Sequence, residues 1–179
     1  MKPRYYGAHK SDKILNLASR LVHVINMKLG AALQNLKILQ SKLARLYRLR
    51  ADTFNVLESK SVEVDYDQLT AEITALVDEV RELKTRIVKT NANSMVTVEG
   101  KEMSIQELIL LIADLRSDLS KLEELKPRGA VYLGGQAVEY NPQKKQDEMA
   151  QIISIKEQQK AELDKILQAK NWEAELFEN

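Results

Sequence analysis

A mainly α fold, an elongated antiparallel helical bundle of coiled-coil hairpins with one or two short β-hairpins, is what this sequence predicts. Three observations predict it. Helix breakers are scarce, with 3 Pro and 6 Gly in 179 residues, while Leu, Lys, Glu and Ala abound. Apolar residues recur at three- and four-residue steps over long stretches. Short alternating patterns flank Glu99-Gly100 and Gly134-Gly135, where tight turns fit. Aromatic residues make up 5% of the chain, so the core is expected to be aliphatic.

The first helical pattern runs through Ile14, Leu17, Leu21 and Ile25 to Leu29, Leu33, Leu36, Leu39 or Gln40, Leu43 and Leu46. Unbroken, residues 12–50 would form a rod of roughly 58 Å. Met27 and Gly30 mark a joint in it, because Gly costs a helix about 1 kcal/mol relative to Ala. The following ADTFNVLESKSVEVDYD loses the period and reads as a connection. In the second helix Asp65 is the expected cap, with Gln68 in a capping-box-like pairing. Leu69, Ile73, Leu76, Val80, Leu83 and Ile87 then form a heptad seam that calls for a partner helix, first of all one from the same chain.

MVTVEGKEM predicts a hairpin, too small to stand alone, that pairs elsewhere or caps the bundle. Ser104 and Glu107 form a capping box for the third helix, whose Ile105, Leu108, Ile109, Leu111, Ile112, Leu115, Leu119 and Leu122 occupy more than one stripe. VYL and VEY around Gly134-Gly135 predict a second hairpin, with pairing to the first as one arrangement. Asn141-Pro142 is expected to open the last helix as N-cap and first helical residue. Its stripe of Met149, Ile152, Ile153, Leu163 and Ile166 is interrupted around Lys156 and Gln159, which predicts a half-exposed helix.

The net charge of +1 conceals an asymmetry. Residues 1–50 hold 11 basic side chains against the single acid Asp12, residues 51–125 hold 8 basic against 16 acidic, and residues 126–179 hold 8 against 9. A basic first quarter suits phosphate backbones or an acidic membrane surface, but packing beside acidic helices is the plainer reading. With no Cys, the chain has no disulfide, thiolate nucleophile or Cys-based metal site. Neither a signal-peptide pattern nor a membrane-spanning apolar run is present, which makes the cytoplasm the expected location.

Candidate catalytic groups are few. His9 and His23 lack a second ligand at helical spacing and read as structural. Asp65 and Asp67 read as helix-start residues favoured by the dipole. Gly134-Gly135 lacks the Lys-Ser/Thr pair and helix start of a phosphate loop. No catalytic residue, metal ligand, cofactor or small-molecule substrate is therefore assigned.

The closing LDKILQAKNWEAELFEN carries the only Trp. Its Leu163-Asp164, Leu167-Gln168, Asn171-Trp172 and Leu176 resemble the C-terminal signature of the septicolysin family. Upstream, RIVKTN, with Arg86, Ile87, Thr90 and Asn91, is similar to that family's Arg-Ile-Asn-x-Thr-Asn. MKLGAALQNLKILQSKLARL, beginning at Met27, resembles the family's usual N-terminus. The resemblance covers residues 27–176 and implies two segments, 1–26 as a basic extension and 27–179 as the septicolysin-like helical domain. Departures fall at Val88, where the family commonly has Asn, and at Ala113-Asp114, where Arg-Asp is common. The resemblance implies an elongated helical protein with no established enzymatic mechanism, in a family named after a reported haemolysin. Trp172 is expected to dock on the bundle and hold the end of the last helix, with Asn171 capping that end or bonding a neighbouring loop. Burying such a ring fully contributes about 3 kcal/mol or more. Trp172 as a ligand or membrane anchor is the other reading.

Three functions follow as expectations. The first is a non-enzymatic, oligomerising structural or interaction protein, with Ile105, Ile109 and Ile112 as oligomer contacts. The second is an RNA- or ribosome-associated factor that binds through Lys37, Lys42, Arg45, Arg48 and Arg50, with Tyr47 for base stacking. The third, carried by the family name, is membrane-active lysis.

Overall fold

The computed structural model describes residues 27–56 and 64–178. Among them are four helices, α1 (Leu29–Thr53), α2 (Tyr66–Asn93), α3 (Ile105–Glu123) and α4 (Gln146–Glu173). Four short strands accompany them: β1 (Met95–Val98), β2 (Lys101–Ser104), β3 (Val131–Leu133) and β4 (Gln136–Val138). The fold is mainly α with two short antiparallel β-hairpins, as the sequence predicts. The chain divides into two compact units, Met1–Asn93 with Asn171–Asn179, and Ser94–Lys170. The predicted boundary after residue 26 coincides instead with the edge of the described residues, and the part of the first helical pattern before Met27 lies outside them.

In the first unit α1 and α2 form an antiparallel hairpin. Phe54 meets Tyr66 edge to face at 5.8 Å near the connection, and Lys42 reaches Glu72 at 3.0 Å further along. Asp65 Oδ1 accepts the Gln68 N–H at 2.7 Å, so the predicted N-cap forms. Every member of the heptad seam, Leu69, Ile73, Leu76, Val80, Leu83 and Ile87, is buried. Its partner is in the same chain: Leu46 packs on Leu69, Ile73 and Leu76, with Leu39 and Leu43 beside them. The stripe on α1 therefore passes through Leu39 and leaves Gln40 exposed. The joint predicted at Met27 and Gly30 is a helix start, with Lys28 extended at φ −73° and ψ 149° and Leu29 as the first helical residue.

The second unit pairs α3 with α4, again antiparallel, with Asp118 reaching Lys156 at 2.8 Å and Ile112 packing with Leu163 and Ile166. Val98 from the first hairpin is buried against Leu108 and Ile112, so the hairpin caps these helices rather than extending a sheet. Its turn places Glu99 at φ 51° and Gly100 at φ 79°, the two positive values a tight two-residue connection needs. The second hairpin turns through Gly134 and Gly135 at φ 59° and 85° and pairs only within itself. Its return strand is Gln136–Val138, so Glu139 and Tyr140 fall beyond it. A two-residue turn requires pairing to resume at once, here Leu133 opposite Gln136.

One helix start differs from expectation. α4 opens at Gln146, four residues past Pro142. A start at Pro142 would set Lys144 and Lys145 in the first turn, at the positive end of the dipole. The observed start places Asp147 and Glu148 there instead. The capping box at α3 is complete: the Ser104 N–H donates to Glu107 Oε2 at 2.6 Å, and Ser104 Oγ accepts the Glu107 N–H at 3.1 Å. The Ser104 backbone and hydroxyl donors hold the Glu107 carboxyl below its ordinary value.

Replacing Ile73 or Leu76 with Ala is expected to cost about 2–5 kcal/mol in denaturant titration, because each fills a closed seam. The stability difference between the wild type and Glu107→Gln is expected to be fully present above the ordinary carboxyl value of 4.5 and to shrink as pH falls below it. The sign follows because the folded-state carboxyl is the harder one to protonate. A difference that grew on acidification would contradict this assignment.

Candidate functional site

Residues 87 to 149 positions apart converge where the chain's last segment lies on the rest of the first unit. Beyond α4, residues 174–177 run as an extended strap beside the start of α1. The Leu29 N–H donates to the Ala174 carbonyl at 2.9 Å and the Leu176 N–H to the Met27 carbonyl at 2.8 Å, an antiparallel bridge around Lys28 and Glu175. Lys28 Nζ adds a hydrogen bond to the Glu173 carbonyl and an ion pair to Glu175, each at 3.1 Å. That ion pair is exposed and by itself contributes at most about 1 kcal/mol.

The other side of the strap is held by α2. Arg86 Nε donates to the Phe177 carbonyl at 2.9 Å, and Thr90 Oγ1 accepts the Phe177 N–H at 2.8 Å. Thr90 Oγ1 also donates to the Arg86 carbonyl at 2.8 Å, so one hydroxyl links helix and strap. Lys89 Nζ stands 5.6 Å from the centre of the Phe177 ring. Arg86, Thr90 and Asn171 are buried polar residues, with Ala174 and Leu176 buried beside them. Arg86 Nη2 is also buried and meets no hydrogen-bond partner among the described residues.

Trp172 completes the cluster in an unexpected way. Its ring lies on Gly30, where an added Cβ would come 2.8 Å from Cδ2. Trp172 nevertheless remains 51% exposed as a residue, so it docks without being enclosed. The expected docking is thus partial, and the contribution of about 3 kcal/mol that full burial would bring does not apply in full. Gly30 is present because the ring needs the space of its missing side chain.

The family-like motifs thus divide between the units. Arg86, Thr90, Asn171, Trp172 and Leu176 gather at the strap, Ile87 belongs to the α2 seam, and Asn91 is half-buried one residue past Thr90. Leu163 lies in the second unit's core, Asp164 accepts from Lys160 at 2.7 Å, and Gln168 is exposed. Val88, Ala113 and Asp114, where the sequence departs from the family pattern, are exposed, so the departures remove no buried contact from the chain.

The basic residues sit on α1. Lys37, Arg45 and Arg48 are exposed on its outer face, where Lys37, Ile38, Ser41, Lys42 and Arg45 line a shallow concavity. Lys42 is committed to Glu72, and the Arg50 guanidinium lies 5.3 Å from the Tyr47 ring, on the surface a base would use. The proposed oligomer contacts fare differently from one another. Ile105 and Ile112 are buried at 0% and 4% exposure inside their own unit, so neither presents a surface to a partner. Their stripe faces β1 and α4, whereas Ile109 is half-buried and Leu110 and Leu111 keep 55% and 41% exposure. His9 and His23 lie outside the described residues.

Sequence reasoning missed Gly30, Lys28, Glu175 and Phe177. A glycine in the first turn of a strongly apolar helix was the available signal for a close approach. The other three act mainly through backbone groups or exposed ends, which no residue pattern marks.

Among the described residues no group of three His, Cys, Asp or Glu side chains is placed to hold a metal, and no helix is long and apolar enough to cross a membrane. The arrangement defines a mainly helical protein of two hairpin units with its last segment strapped onto the first. The chain is similar in fold to a functionally unknown conserved protein from Corynebacterium diphtheriae, with a TM-score of 0.68 at 19% identity over 85% of this chain and 99% of that one. No family model and no curated protein matches the sequence.

In Gly30→Ala the new methyl group is expected to lift Trp172 off α1. Tryptophan emission should shift to the red, and amide exchange at Leu29 and Leu176 should accelerate, with global stability changed by about 1 kcal/mol or less because Ala is the better helix former. Unchanged emission would show that the ring is not held there.

Proposed function

We propose that this chain is a non-enzymatic, septicolysin-like helical protein that acts by assembling with copies of itself. The observation that carries the reading is the apolar face left on α3. Ile105, Leu108 and Ile112 are consumed by the chain's own core, yet Leu110 and Leu111 stay exposed next to half-buried Ile109. Adjacent exposed leucines on an ordered helix are costly to leave in water, at about 25 cal/mol per Å² of apolar surface, and a second copy would cover them. The convergence of Arg86, Thr90, Asn171, Trp172 and Leu176 on one strap supports the family resemblance, since it supplies a physical reason for those residues to occur together.

A second reading, RNA or ribosome association, is favoured by the exposed Lys37, Arg45 and Arg48 on one helix face. It is weakened by the pairing of Lys42 with Glu72 and by Arg50 beside Tyr47. The lytic reading rests on the family name, and no geometry adds to it.

Light-scattering mass at low and high salt, with absorbance at 260 and 280 nm, separates the readings. Assembly predicts one nucleic-acid-free species of at least twice the chain mass. Leu110→Asp combined with Leu111→Asp is expected to reduce it to the single-chain mass with the helical circular dichroism unchanged. A 260 nm excess removed by salt would replace this reading with the RNA one. A wild type at single-chain mass throughout would end the assembly reading.

A further inference from the structure

The second unit carries an open groove between α3 and α4, closed at one end by the first hairpin. Its floor is Val98, Leu111, Leu115, Leu163 and Ile166, and Glu99, Gln159 and Glu162 stand around it. Both carboxylates are exposed, and no salt bridge within the chain is formed by either among the described residues. An apolar trough with acidic edges suits a helix that presents an aliphatic side chain between cations.

The same chain presents such a helix. On the outer face of α1, Ile38 is 66% exposed and is flanked by Lys37, Ser41 and Arg45, with Leu49 exposed further along the same side. Ile38, Arg45 and Leu49 lie at i, i+7 and i+11, so they share one stripe of the helix. The α1–α2 core does not use this stripe, since it takes Leu39, Leu43 and Leu46 from a face about 100° further round the helix.

We infer that the partner of the α3–α4 groove is the outer face of α1 from a second copy of this chain. Ile38 enters between Leu111, Leu115, Leu163 and Ile166, while Lys37 and Arg45 approach Glu162 and Glu99. This rests on the assembly reading above and goes further by naming both halves of the contact. Because the two halves are different patches, the contact is heterologous: every copy offers one groove and one helix. Charge complementarity within one chain selects a second copy as the occupant, with cations beside Ile38 and carboxylates beside the groove. Lys37 and Arg45, outside the chain's own salt bridges among the described residues, would meet Glu99 and Glu162 of the next copy.

The test uses two full-length variants, Glu99→Lys with Glu162→Lys and Lys37→Glu with Arg45→Glu. All four positions are exposed, and surface changes of this kind normally leave the fold intact. Each variant alone is expected to self-associate about tenfold or more weakly by analytical ultracentrifugation, because like charges then face each other. Mixed in equal amounts they should reassemble, since every groove then finds a helix of opposite sign. Assembly that both variants retain, but that Leu110→Asp alone abolishes, would overturn the groove assignment and leave the assembly reading standing, because Leu110 lies outside the groove lining. Weakening by the groove variant alone, with the α1 variant unaffected, would transfer the groove to another basic segment and overturn α1 as its occupant. A wild type that never exceeds single-chain mass would overturn both.

Discussion

Everything in this protein depends on thin lines of aliphatic side chains being closed on both sides. With few aromatic residues, the core has no large rings to spread over several neighbours. Each unit instead buries a single seam, Leu69 to Ile87 on α2 in one and Ile105 to Leu119 on α3 in the other. Such a seam is stabilised only if a second helix runs the length of it, and short connections make the antiparallel partner in the same chain the cheapest to find. The interior of each unit is accordingly one residue-layer deep, and its ends are where water would enter.

The two units close an end by different means. In the second, β1 and β2 fold over the helices and insert Val98 into the seam, so a hairpin too small to persist alone is held by the core it covers. In the first, the strap supplies backbone groups that the start of α1 cannot satisfy from within. A helix begins with unpaired N–H groups, and Leu29's is taken by the Ala174 carbonyl in place of a side-chain cap. Thr90 and Arg86 then hold the far side of the strap, which explains why polar residues interrupt the last turns of an otherwise aliphatic seam.

The split between filled and unfilled apolar faces leads from fold to function. Both helices of each hairpin spend one stripe on the interior, and what remains outside is sorted by charge: cations around Ile38 on α1, carboxylates around the α3–α4 groove. The proposed assembly with copies of this chain rests on leucine and isoleucine left exposed among opposite charges on separate units. That is a property of surfaces, and it appears only when it is known which stripe the core has used.

The sequence by itself determined the class of fold, the α2 seam, the caps at Asp65 and Ser104 and both turns, because each is set by residues within a few positions of one another. Period, capping chemistry and positive φ are local properties, and they survive in the pattern of letters. It mistook the start of α4, where Asn141-Pro142 competed with the charges of the following turn and lost. It also could not tell which of Ile105, Ile109, Leu110, Leu111 and Ile112 faced inward, since two apolar stripes on one helix look alike until a neighbour covers one. Only the tertiary structure decided that, and only it brought Arg86 and Thr90 to the Phe177 backbone and Trp172 to Gly30. Those contacts join residues about 90 to 140 positions apart, largely through backbone groups and the space of a missing side chain, and neither leaves a periodic trace.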